Sequence, residues 1–267
     1  MIIIGEKLNA TIPRIKEAII SRDGEMLKQL AIKQEKAGAG YIDLNIGTGE
    51  GTAADEITAM EWLVALVKDD LSARLCIDSA DPKVLEAGLK LGGDKVGMVN
   101  SVKATDENIE EILPMSAEYG VPVIALAMDE KGIPDNVAGR LKACEKIIKG
   151  ADKYGLPQDK IFFDPLVMPV STDNTQGKVT LETLREIRNH YPGARTVIAL
   201  SNISFGLPKR SLINSTLLQM AMYLAVDAAL IDPLDSSLMA SIRASEAVLG
   251  RDRHCRKYTR AFRQGNL

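Results

Sequence analysis

Carboxylate, amide and hydroxyl side chains stand at the ends of apolar runs along this 267-residue sequence. Glu6 and Asn9 follow the first run, Asp43 and Asn45 lie on the second, Asp78 and Ser79 end the third, and Asn100 and Ser101 the fourth. Asp164 closes the sixth, Ser201 and Asn202 the seventh and Asp232 the eighth, whereas the fifth ends in Met128 and Asp129. Singly, each of these could be a turn former or a helix cap. Together they predict a polar recess. An ionised Asp accepts two parallel N–H bonds from an amidine-like edge, and an Asn amide offers one donor and one acceptor. Such a set is suited to reading a neutral heterocycle.

What the recess lacks narrows the chemistry. His190 falls in a helical stretch and His254 in the basic tail, so neither a histidine-based triad nor a zinc site is expected. Cys76 precedes Asp78 by two residues, which puts both on one side of a strand, and it reads as core. Clustered carboxylates can hold Mg²⁺, but the interleaved amides fit a heterocycle better, and no metal is expected. A pterin carries the matching alternation of donors and acceptors.

Eight apolar segments read as strands: MIIIG, YIDLNIG, RLCIDS, KVGMVNS, VPVIALAM, IFFDPL, TVIALSN and AALIDPL. Between them, segments such as DEITAMEWLVALVKDDL, DPKVLEAGLKL and LINSTLLQMAMYLAV repeat apolar residues at three and four positions and carry capping residues. Eight strand–helix units predict a closed (β/α)8 TIM barrel in a single domain over residues 1–267. An open doubly wound sheet is the competitor, but no glycine-rich phosphate loop follows the first strand. In a barrel, chemistry belongs at the carboxyl ends of the strands, where the polar residues stand.

The chain is 46% apolar and 26% charged with a net charge of -3, so it can fill a large core and lacks the overall charge of a nucleic-acid binder. The cationic run from Arg251 to Arg263 begins a basic tail over residues 251–267, expected to be solvated. Cys76, Cys144 and Cys255 show no paired spacing, which points to a reducing cytoplasm. No signal peptide or membrane span is read.

The motifs GEKLN, AGAGYIDLNIG, CIDS, MVNS, FDPL and LSNISFGLP, followed by RSLIN, run in order from Ile4 to about Leu249. This series resembles the pterin-binding methyltransferases that move a methyl group between methyltetrahydrofolate and a corrinoid protein. It is similar to a module of cobalamin-dependent methionine synthase and, more distantly, to dihydropteroate synthase. The resemblance implies a pterin-binding TIM barrel, usually a homodimer, that takes methyltetrahydrofolate or tetrahydrofolate as substrate and uses no metal of its own. It also implies a separate corrinoid partner, since neither RNHYPG nor DRHCRK resembles the Asp-x-His-x-x-Gly signature of cobalamin-carrying domains.

By the same resemblance, Asp78, Asn100 and Asp164 hold the pterin edge, with Asp43 and Asn45 lining the floor. Asn202 approaches N5, which carries the methyl group, Ser201 supports it, and Arg210 contacts substrate or partner. Phe205 and Met128 are candidates for the ring faces. Asn202 and Asp78 are the expected catalytic pair, one donating a hydrogen bond to N5 and the other the first candidate to supply a proton. A dihydropteroate synthase-like reaction is the nearer alternative, but Ser201, Asn202 and Ile203 replace that family's Ser-Arg-Lys run, and GTGEGTAADE its Arg-Pro-Gly loop. The other is a folate-binding subunit without turnover.

Overall fold

The computed structural model describes residues 1–265 and Leu267. Strand β1 (Ile2–Asn9) leads through α1 (Pro13–Ile20) and α2 (Gly24–Lys36) to β2 (Tyr41–Asn45). Helix α3 (Ala53–Val67) precedes β3 (Arg74–Asp78), α4 (Pro82–Gly92) precedes β4 (Val96–Lys103), and α5 (Asp106–Glu118) precedes β5 (Val123–Leu126). Next come α6 (Val137–Tyr154), β6 (Ile161–Asp164), α7 (Gln176–His190) and β7 (Arg195–Ala199). A 3-10 turn (Leu200–Ser204), α8 (Arg210–Tyr223), β8 (Ala228–Ile231), α9 (Ser236–Val248) and α10 (Arg256–Arg263) follow. The eight strands pair in parallel and in chain order, and β8 returns to β1, which closes the barrel predicted from the sequence.

Side-chain alternation divides each strand between two cores. Ile4, Cys76, Met98, Ile124, Phe162, Val197, Ala228 and Leu230 fill the barrel interior. Ile42, Leu44, Leu75, Ile77, Val99 and Val123 point the other way, into the layer shared with the helices. Each fully buried aliphatic side chain contributes roughly 1.5–3 kcal/mol. Beside Cys76 in the register, β2 presents Asp43, only 1% exposed. A carboxylate therefore sits level with the apolar interior.

Helices begin at the mouth, so several polar residues there are caps. Thr52 and Asp55 form a capping box on α3, and the side chains of Asp81, Thr105, Asn136 and Asp235 accept backbone N–H bonds at the starts of α4, α5, α6 and α9. Asp232 takes the turn-former role, accepting from Leu234 N–H at 2.9 Å.

Several features differ from the sequence reading, among them β5 and β8, which stop at Leu126 and Ile231 and leave Met128 and Asp232 in the loops that follow. β1 runs on to Asn9, so Glu6 and Asn9 lie within it. β7 stops at Ala199, and Ser201 and Asn202 sit on the 3-10 turn. The basic tail is not simply solvated: α10 packs on α9 and buries Ala261. Among the described residues no helix is long and apolar enough to cross a membrane.

Candidate active site at the barrel mouth

Register assembles the first half of the site. Asn45 pairs with Asp78, and Asp78 with Asn100, so three neighbouring strands present these side chains at one level on one face. Asn45 Nδ2 donates to Asp78 Oδ2 at 2.8 Å, and Asn100 Nδ2 donates to Asp43 Oδ1 at 3.3 Å. Burial is the main force raising both Asp43 and Asp78, and the charge of Asp78 raises Asp43 further. Asp43 is held well above the ordinary carboxylate range, while the rise of Asp78 is offset by its interactions with Asn45 and Asp43. The Cys76 thiol below this pair is pushed well up by burial and by Asp43, which leaves it an un-ionised packing group.

Asp164, 4% exposed, ends β6, in register with Leu126. Burial lifts it to about 6, against hydrogen bonds from Leu166 and Ala199 N–H and the nearby positive charge of Arg140. At about 6 it is largely ionised at neutral pH.

The turn after β7 forms a third group. Leu200 and Ile203 are buried and anchor it, leaving Ser201 half-buried and Asn202 exposed. Ser201 Oγ donates to Glu6 Oε2 of β1 at 3.0 Å, over the single strand β8 that separates β7 from β1. Arg210 Nη2 donates to the Ser201 carbonyl at 2.6 Å and Nε to Ser204 Oγ at 3.0 Å. Arg210 braces the turn that carries Asn202. Among the described residues the Asn202 side chain has no hydrogen-bond partner, in contrast to Asn45 and Asn100. Phe205, 65% exposed, projects on the rim just beyond.

A cleft of about 780 Å³ opens over the β2 and β3 ends and is lined by Asn45, Asp78, Thr11, Glu56, Lys83 and Glu111, among others. Of the sequence-predicted residues, Asp43, Asn45, Asp78 and Asn100 are joined by hydrogen bonds, and Ser201 and Arg210 by another set. Asp164 and Asn202 stand at the same barrel end but make no direct hydrogen bond to either carboxylate of the Asp43–Asp78 pair.

A family model described as Pterin binding enzyme matches residues 5–232, most of the chain and all eight strands apart from the start of β1 and nothing beyond Asp232. The chain belongs to the pterin-binding enzymes. Within that family it is 39% identical to Methylcorrinoid:tetrahydrofolate methyltransferase of Eubacterium limosum, over 100% of this chain and 98% of that protein. It is 28% identical to Methionine synthase of Mycobacterium tuberculosis over 86% of its length, which corresponds to 20% of that longer protein. Dihydropteroate synthase structures share the fold: one from Yersinia pestis has a TM-score of 0.74 at 17% identity, covering 94% of this chain and 93% of that one. Another, from Xanthomonas albilineans in complex with 7,8-dihydropteroate, has a TM-score of 0.71 at 17% identity, covering 93% and 92%.

Two residues of this pterin-binding barrel were assigned no role from the sequence. Glu6 lies in GEKLN and near a strand end but carried no assigned role, yet burial lifts it to about 7 against the Ser201 hydrogen bond, with Asp232 raising it and Lys7 and Arg210 lowering it. Lys7 itself pairs with Asp232 at 3.0 Å. The second is Arg140, fully buried on α6. An arginine opening an amphipathic helix gives no sequence signal that it points inward.

Proposed function

We propose that this protein transfers a methyl group between N5 of methyltetrahydrofolate and the cobalt of a separate corrinoid protein. The observation that carries the reading is full-length similarity to the Eubacterium limosum methyltransferase at 39% identity. The unpartnered Asn202 amide on a braced turn supports it chemically.

Asp164 accepts paired N–H bonds from the pterin, while Asp78 and Asn100 complete the edge and Asp43 and Asn45 form the floor. In the forward direction the N5–CH3 bond breaks, its electron pair stays on nitrogen, and Co(I) supplies the pair that forms the Co(III)–CH3 bond. N5 gains a proton, so methyltetrahydrofolate, Co(I) and H⁺ give tetrahydrofolate and methyl-Co(III). An amine leaves poorly unless its developing charge is neutralised. Asn202 cannot titrate near neutrality, so it assists by donating a hydrogen bond whose strength grows with that charge. Asp78, beside the raised carboxyl of Asp43, is the first source of that proton. In reverse, the Asn202 amide oxygen accepts from N5–H of tetrahydrofolate, which leaves the N5 lone pair free to attack methyl-Co(III) as the proton departs.

We assign residues 1–267 to one domain working in the cytoplasm as a homodimer. Leu212, Met220 and Tyr223, exposed on α8, support a subunit contact there. The test mixes the protein with methyltetrahydrofolate and Co(I) cobalamin under anaerobic conditions and follows the visible spectrum. Enzyme-dependent appearance of methyl-Co(III) is expected. Folate binding with no transfer to free cobalamin or to a corrinoid protein would leave only a folate-binding subunit; no folate binding would defeat the pterin assignment.

A further inference from the structure

Arg140 is a guanidinium without solvent exposure, and its hydrogen bonds converge on the segment that follows Asp164. Nη1 donates to the carbonyls of Pro165 at 2.8 Å and Leu166 at 3.0 Å, Nε to the Pro134 carbonyl at 3.0 Å, and Nη2 to Gln176 Oε1 at 2.7 Å. Three segments meet on one side chain: the loop before α6, the loop after β6, and the start of α7. Leu166 closes the circuit, because its N–H donates to Asp164 Oδ1 at 2.8 Å while its carbonyl is held by Arg140. It does so at a φ of 65°, a left-handed conformation that a branched side chain adopts only when its surroundings hold it there.

We propose that Arg140 is a positioning residue for pterin recognition: by clamping the Pro165 and Leu166 carbonyls it sets the orientation of the Asp164 carboxylate. The inference rests on the assignment of Asp164 to the pterin edge made above. Arg140 also acts on Asp164 through charge, opposing the effect of burial. The carboxylates that act on the guanidinium are Asp164 on β6 and Asp135 on the loop before α6. Asp173, on the loop before α7, reaches it only through Gln176, whose Nε2 donates to Asp173 Oδ2 at 3.0 Å. A lysine at this position would keep the charge but could not span three backbone carbonyls and an amide from one planar fork. A methionine would keep much of the volume and lose both.

The test titrates methyltetrahydrofolate into the full-length protein by calorimetry from about pH 5 to about pH 9, a window that brackets the carboxylate ionisations. Asp164→Asn identifies the part of the acid-side loss of affinity that belongs to Asp164. In Arg140→Met that part moves upward by about one pH unit, and affinity at the alkaline end falls about tenfold, roughly the cost of one misaligned charge-assisted hydrogen bond. In Arg140→Lys the acid limb stays near its wild-type position while the alkaline affinity still falls. Merely structural damage would lower the melting temperature without moving the limb. An unmoved limb in a folded Arg140→Met protein overturns the proposal. Should that variant fail to fold, wild-type affinity at all pH values in Arg140→Lys overturns it instead. If Asp164→Asn binds as the wild type does, the assignment of Asp164 to the pterin fails, and the role given to Arg140 fails with it while its contacts stand.

Discussion

Asn202 differs from the other amides of the mouth because it is not spent on a neighbouring carboxylate. Asn45 and Asn100 each hold an Asp oxygen, whereas Asn202 stands exposed on a turn fixed by Arg210, Leu200 and Ile203. A donor kept free in the ground state can act selectively on the charge that develops at N5. Asn202→Ala is therefore expected to bind methyltetrahydrofolate within about tenfold of wild type and to lose about a hundredfold or more in transfer rate. Equal losses in both would make Asn202 a recognition group. Glu6 belongs to the same neighbourhood and, at about 7, changes charge across the physiological range. Glu6→Gln preserves an acceptor for Ser201 but removes this ionisation, so the change in transfer rate between about pH 6 and about pH 8 should flatten. A profile identical to wild type would take Glu6 out of the reaction.

At the level of elements, accuracy at the mouth depends on how closely helices approach strands. Gly88 of α4 lies against Ile77 of β3, the residue before Asp78, and a Cβ at position 88 would stand 2.7 Å from Ile77 Cγ2. Gly88→Ala is expected to destabilise the protein by about 1–3 kcal/mol in denaturant melts, with weaker folate binding as β3 shifts. Full stability with full affinity would mean that the barrel wall absorbs the methyl group elsewhere. This packing also separates what was legible in the sequence from what was not. The strands were readable as short apolar runs alternating with segments of helical period. The end of β7 was not, because Leu200 and Ile203 prolong the apolar run while serving as anchors of a turn. The bond between Asn45 and Asp78 depends on inter-strand register, and the inward course of Arg140 on loops that meet only in three dimensions.

For the molecule as a whole, the buried carboxylates couple folding to protons. Asp43 is raised above its unfolded value, so its contribution to stability is complete below the ordinary Asp range near 3.9 and declines as pH rises, since the unfolded chain ionises while the folded one must keep its proton. Asn at this position imitates the protonated acid, donating toward Asp78 and accepting from Asn100. Asp43→Asn should therefore raise the denaturation midpoint at about pH 8 and lose that advantage in acid; a lower midpoint at pH 8 would show that Asp43 is ionised in the native state. The barrel was legible from the alternation of segments, and the polar mouth from residue types, but not the raised carboxyl of Asp43, which depends on β2 and β3 bringing two carboxylates together where one of them is buried. The hydrogen bond from Ser201 to Glu6 joins positions 195 residues apart. During synthesis Glu6 leaves the ribosome long before its partner is made, and the wall between them cannot close until β8 has been added beside β1. The last polar contact of the mouth is thus withheld from every chain that still lacks its final strand.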